Sequence, residues 1–285
     1  MELEVPDVDY TEYSNRQLLV VPLALLAVAL LVLVGWWAMT GAPVDPGIEF
    51  TGGSELRVET GLTQSEIPGE FDSEVATIQA VAGSSDTYVL QFQSNDAQGL
   101  SDQARAAGME VLQSSSTSPA LASDSQNLAI IGVLVAFLGM SILVFALFRT
   151  FVPSLAVVLS AASDIIVPLA VMNLLGIKLS LGTVAALLML IGYSVDSDIL
   201  LNNHVLRRSG EFYESVYNAR ETGVTMTVTS IAAMTVMAIL ATFFGISIMA
   251  DIGLVLVIGL TADLINTYLL NVTLLRWYKF EGVAR

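Results

Sequence analysis

Six long apolar runs, each about the length needed to cross a bilayer, restrict this chain more than any other feature. A hydrocarbon layer about 30 Å thick takes roughly 20 helical residues. Inside it every backbone polar group must find a partner within a helix or a closed barrel. The first run, Leu18 to Thr40, holds 23 residues and has Trp36 and Trp37 near its far end. That length, the aromatic pair and the acidic N-terminus ahead of it argue against a cleaved signal peptide. The other runs are expected at about 128–148, 153–175, 179–201, 224–244 and 248–270. A chain that is 54% hydrophobic and only 13% charged is too apolar for a soluble domain of this length. The expected fold class is therefore an α-helical polytopic membrane protein with six transmembrane helices.

Between the first and second runs, residues 41–127 lose this hydrophobicity and read as a small α+β domain. Gly47, Gly52 and Gly53 permit a tight turn, after which Ser54 to Thr60 alternates as a strand. Val75 to Val81 and Thr87 to Gln93 read as two more strands around a Gly-Ser-Ser-Asp turn. Asp96 to Ala107 has a helical pattern, Met109 to Gln113 is a fourth strand, and Ser114 to Ser125 is a Ser-rich return to the membrane. The expected division is a tail at 1–17, a span at 18–40, this domain at 41–127, a five-helix bundle at 128–275 and a tail at 276–285. Asn202 to Gly223 is expected as a polar amphipathic helix or loop between spans.

Charge orients the bundle. Arg16, Arg149, Arg207, Arg208, Arg220, Arg276, Lys279 and Arg285 all fall on the side of the termini, against Lys178 alone in the short opposite loops. Basic residues stay cytoplasmic, so both termini are expected inside the cell membrane and residues 41–127 outside. Thirteen acidic residues lie between Asp45 and Asp124, against Arg57 and Arg105. Such a surface repels nucleic acid and suits high salt, where self-repulsion is screened.

No cysteine occurs, and no metal-ligand cluster, nucleophile–base pair or phosphate loop is found. No cofactor and no enzymatic activity are expected. The chemistry that remains is carboxylate chemistry at membrane depth. Asp164, Asp196, Asp198 and Asp263 lie deep in the spans, whereas Asp251 lies near the outer surface. Intramembrane carboxylates are costly and face a protein interior or a water path. At 1.5 Å per residue, Asp164, the Asp196/Asp198 pair and Asp263 reach comparable depth and could share one polar seam. At 100° per residue, Asp196 and Asp198 point nearly opposite ways; Asp198 shares a face with Asn202, and Asp196 with Asn203. One aspartate should face the bundle, the other a neighbouring subunit or the inner headgroups. No Lys or Arg falls inside the expected spans to neutralise them, which suits either ion exchange or a hydrogen-bonded structural role. His204 reads as an interfacial residue.

Four motifs in this order resemble the SecF branch of the SecD/SecF protein-export family: GIEFTGG at 47–53, SPAL at 118–121, SDIIVPLAVMNLLGI at 163–177 and IGYSVDSDILL at 191–201. The Asp-Ser-Asp spelling and the acidic composition resemble the haloarchaeal members. The resemblance implies a half-transporter of resistance-nodulation-division type, with SecD supplying the matching half and the fourth spans near their interface. It further implies an auxiliary role in moving preproteins across the membrane, beside the Sec translocon and among membrane lipids. A proton- or sodium-coupled half-transporter exporting a small molecule or lipid is the alternative. The sequence departs from the bacterial pattern at two places. Asp196-Ser197-Asp198 stands where bacterial members read Asn-Asp-Thr, and Thr222 to Thr229 holds no basic residue where they carry an Arg. A relay that needs that Arg is not carried over, although Asp164 matches an Asp at the corresponding third-span position.

Overall fold

A computed structural model describes residues 10–81, 86–207 and 211–282. The expected Gly-Ser-Ser-Asp turn, most of the acidic tail, Arg208 and Arg285 lie largely or wholly outside the described residues, as does the side chain of Arg207. Helix α1 (Asn15–Thr40) starts at a capping box, in which Ser14 and Gln17 each satisfy the other's backbone N–H. It ends where Gly41 takes the left-handed conformation at φ 81°. A four-residue helix α2 (Ile48–Thr51) follows, and Gly52 and Gly53, both at positive φ, turn the chain into the sheet domain.

The sheet contains β1 (Gly53–Glu59), β2 (Val75–Ala80), β3 (Thr87–Phe92) and β4 (Glu110–Thr117) in the antiparallel order β2-β3-β1-β4. Alternation sends Leu56, Val58, Leu90 and Phe92 to one face, where each is at most 1% exposed. Helix α3 (Ala97–Ala106) covers that face with Leu100 and Ala104, its first turn capped by Asp96. The strand expected to stop at Gln113 runs on to Thr117, because Ser114 to Thr117 pair with β1.

The bundle comprises α4 (Pro119–Phe148), α5 (Phe151–Leu175), α6 (Leu181–Arg207), α7 (Phe212–Phe243) and α8 (Ser247–Ile265). The last continues through a wide π-helical stretch, Asn266–Asn271, into α9 (Val272–Trp277). With α1, six helices are long and apolar enough to cross a membrane. Three boundaries differ from expectation. Pro119 at N1 with Ser118 as cap starts α4 before residue 128, since Pro supplies the right φ and lacks only an N–H that would be unpaired. Helix extends to Gly282, beyond the expected end of the sixth span. The polar segment 202–223 is not a separate loop or surface helix. It divides between the ends of α6 and α7, because Phe212, Val216 and Ala219 bury against Leu201, Val205, Val272 and Leu275.

The two regions are joined by backbone. Pro46 and Leu179 form a parallel bridge, with Gly47 N donating to Leu179 O at 2.7 Å and Leu179 N to Asp45 O at 2.7 Å. Asn173 Nδ2 donates to Pro43 O at 2.8 Å, and Gln79 Nε2 to Gly176 O at 2.8 Å. Lys178 donates to Thr77 and Gln91; partial burial lowers its ammonium, while Asp45 and Glu55 favour the charge. The expected lone basic residue of the outer loops is thus a clamp on the sheet domain.

Candidate functional site: a carboxylate cluster in the bundle

Helices α5, α6 and α8 bring three of the four predicted aspartates together. Asp164 and Asp198 are 0% exposed and Asp263 is 1% exposed. Asp164 sits four residues before Pro168, which cannot donate to the Asp164 carbonyl as an ordinary helical residue would. Its carboxylate accepts from Ser194 Oγ and from Asn266 Nδ2, each at 2.6 Å. Asp198 Oδ1 accepts from Asn271 Nδ2 at 2.8 Å and Thr267 Oγ1 at 2.9 Å. Ser197 Oγ lies 3.0 Å from both oxygens of Asp263, and Thr267 Oγ1 lies 3.2 Å from Asp263 Oδ1. One hydroxyl of Thr267, with a single hydrogen, therefore bridges two carboxylates.

The donors in these bonds are hydroxyls and side-chain amides. Asn266 Oδ1 is buried without a protein partner, and the buried Ser160 hydroxyl lies within interaction distance of Asp198. Buried polar atoms ordinarily have partners, so an unpaired oxygen at this site calls for an explanation. Buried carboxylates held only by neutral hydroxyl and amide donors suit the uptake and release of a proton.

Asp196 does not join. It is exposed on the other side of α6, with Asn203, while Asn202 is buried with Asp198 and donates to the Asp198 carbonyl at 2.8 Å. His204 Nδ1 contacts Leu200 O at 2.8 Å on its own helix, away from any ligand role.

Sequence reasoning missed Ser194, Ser197, Asn266, Thr267 and Asn271. Asn266, Thr267 and Asn271 fall three, four and eight residues after Asp263, so helical spacing alone would have set them on the Asp263 face. The π-helical stretch spans all three, and single widened turns of this type recur at functional sites. Arg220 lies near the start of α7, 7% exposed, and its charge acts on both Tyr10 and Tyr268.

Residues 100–281 match the family model described as protein export membrane protein SecD/SecF, C-terminal. The chain is 65% identical over its full length to the protein-export membrane protein SecF of Haloferax volcanii, covering all of that protein. It is 62% identical to the SecF of Haloquadratum walsbyi, covering 100% of this chain and 99% of that one. The SecF of Methanolacinia petrolearia is 39% identical over 96% of this chain and 97% of its own. Among solved structures, the crystal structure of SecDF from Thermus thermophilus, titled a translocon-associated membrane protein, shares the fold with TM-score 0.76 at 20% identity. That likeness covers 97% of this chain and 39% of the other.

Proposed function

The chain belongs to the SecF branch of the SecD/SecF protein-export family, multi-pass membrane proteins that act with SecD in Sec protein export, and from that premise we propose that Asp164, Asp198 and Asp263 form its ion-exchanging element. The observation that carries the reading is three buried carboxylates in one site, held by neutral hydroxyl and amide donors. These bonds tie α5, α6 and the π-helical stretch together, and binding and releasing a proton or sodium ion gives their carboxylates a further use.

The remaining parts follow from exposure and charge. Asp196 is exposed on α6 at a depth where lipid would not tolerate it, so SecD covers that face. The apolar outer faces of α1 and α4, including Leu31, Leu128 and Ile142, meet lipid. The termini are cytoplasmic and residues 41–127 stand outside the cell, by the distribution of basic residues. There the sheet domain meets the emerging preprotein beside the translocon.

The test is export into or out of sealed vesicles carrying this chain with SecD and the translocon, with and without a proton or sodium gradient. Asp164→Asn, Asp198→Asn and Asp263→Asn should each remove the gradient-dependent part. Wild-type gradient response in all three would sink the proposal, and the gradient that works names the ion.

A further inference from the structure

The turn ahead of α1 reaches back across the inner end of the bundle. Tyr10 lies outside the membrane-length helices yet is only 1% exposed. Its ring inserts among Leu201 and Val205 of α6, Val216 of α7, and Val272 and Leu275 of α9. Its centroid is 6.0 Å from that of Tyr217. Two hydrogen bonds hold the segment down: Arg276 Nη1 donates to the carbonyls of Tyr10 and Tyr13, both at 2.9 Å. Bonds from a cationic donor are among the stronger ones. An exposed tail has no need of such an anchor.

What lies under Tyr10 makes the arrangement informative. Tyr268 belongs to the same π-helical stretch as Thr267 and Asn271, both of which donate to Asp198. Its phenol oxygen is buried without a protein partner and lies within electrostatic reach of Asp198, Asp263, Arg220 and Tyr10. Gly223 makes room for it, since a Cβ there would collide with the phenol oxygen. Asn202 Oδ1, beside Asn271, is a further orphan. A line of hydrogen-bonded polar groups thus runs from Asp198 through Asn271 to Asn202, and Tyr268, from the same π-helical stretch, packs in the cluster that holds Tyr10. Tyr10 and its apolar neighbours close that line.

We propose that the turn from Tyr10 to Tyr13 is a plug: Tyr10, strapped by Arg276, seals the cytoplasmic mouth between α6, α7 and α9 and must withdraw before the carboxylate cluster can meet the cytoplasm. The plug gives the cluster one closed side, which any alternating access requires. Burial pushes the Tyr10 phenol up to about 12, so it stays neutral in the apolar mouth. This inference rests on the ion-exchange reading for its purpose, though not for its geometry.

Because the chain has no cysteine, Val272→Cys gives a single reporter under the plug. Inverted vesicles holding the full chain with SecD would be treated with a membrane-impermeant thiol reagent. At rest, Cys labelling should be slow with Tyr10 and with Tyr10→Phe. Tyr10→Ala or Arg276→Gln should speed it by roughly tenfold or more, since a buried group reacts only as often as its cover opens. Arg276→Gln leaves the apolar packing in place, so it tests the strap even if Tyr10→Ala fails to fold. An imposed ion gradient should speed labelling with the plug intact. Equal labelling in all backgrounds, or a wild-type rate that the gradient leaves unchanged, overturns the plug. Failure of the ion-exchange reading looks different: export unaffected by Asp198→Asn while resting protection by Tyr10 stands.

Discussion

The sheet domain and the membrane bundle are cored on opposite principles. The domain packs Leu56, Val58, Leu90 and Phe92 of the sheet against Leu100 and Ala104 of α3, with charge left on its surface. Burying that apolar area is what holds it folded. The bundle buries Asp164, Asp198, Asp263, Asn266, Thr267 and Asn271 among its apolar clusters and leaves many leucines and valines, such as Leu31 and Val135, on its outer face. Lipid is as apolar as leucine, so close packing and hydrogen bonds hold the helices together instead. A polar centre in the first region would be a fault, whereas in the second it is where specific chemistry can be kept from water. The comparison predicts that conservative changes in the bundle centre should damage function before stability, and changes in the sheet core the reverse.

The largest functional effect is expected from Asp198→Asn. The amide keeps the oxygen that accepts from Thr267 and Asn271, so the helices should still assemble while gradient-dependent export is lost. Asp251→Asn, near the outer surface on α8 and half-buried, should export close to wild type. Equal, near-wild-type export from both would dissolve the distinction between the regions. The largest stability effect is expected from Leu56→Ala. Removing a fully buried leucine costs about 2–5 kcal/mol, which should appear as early unfolding of the sheet domain in denaturant, with the bundle still helical.

The sheet domain was largely legible because alternation is a local signal: Leu56 and Val58 face inward as period two requires. Helical phase separated Asp198 and Asn202 from Asp196 and Asn203 for the same reason. The site's donors were not legible. A hydropathy reading closes the sixth span at Leu270, whereas Asn266, Thr267 and Asn271 are held in the helix by bonds to carboxylates on other helices. The burial of Arg220 was not legible either, because its surroundings, Asn218 to Thr222, have loop composition, while its charge acts on Tyr10 and Tyr268 at the start of α7. Helix α7 shows the limit of hydropathy as a guide to burial. It is about as apolar as α6, yet far less of it is buried. Polarity there marks an outer face with Thr222, Thr229 and Glu221 exposed.

A smaller effect is expected at Gly223. Alanine there would push into the Tyr268 phenol, and overpacking of a well-filled site costs about 1–3 kcal/mol. The temperature at which the complex with SecD is inactivated should fall accordingly, and Gly223→Ala combined with Tyr268→Phe should recover most of the loss. No recovery would mean that the glycine serves helix approach rather than the phenol.

The smallest effect sharpens the contrast most. Leu138 on α4 is 58% exposed on the outer face of the bundle, whereas Leu56 is 0% exposed. Alanine at Leu138 exchanges one apolar surface for another in contact with lipid, so there is little transfer energy to lose and no cavity to leave. Stability should change by no more than about 0.5 kcal/mol, and the complex with SecD should be recovered in wild-type yield. If instead Leu138→Ala lowered that yield, α4 would be an intersubunit contact, and lipid would no longer explain its exposed leucines. The same chemical deletion, costly in the sheet domain and silent on α4, would show that water drives the packing of one region and is absent from the other.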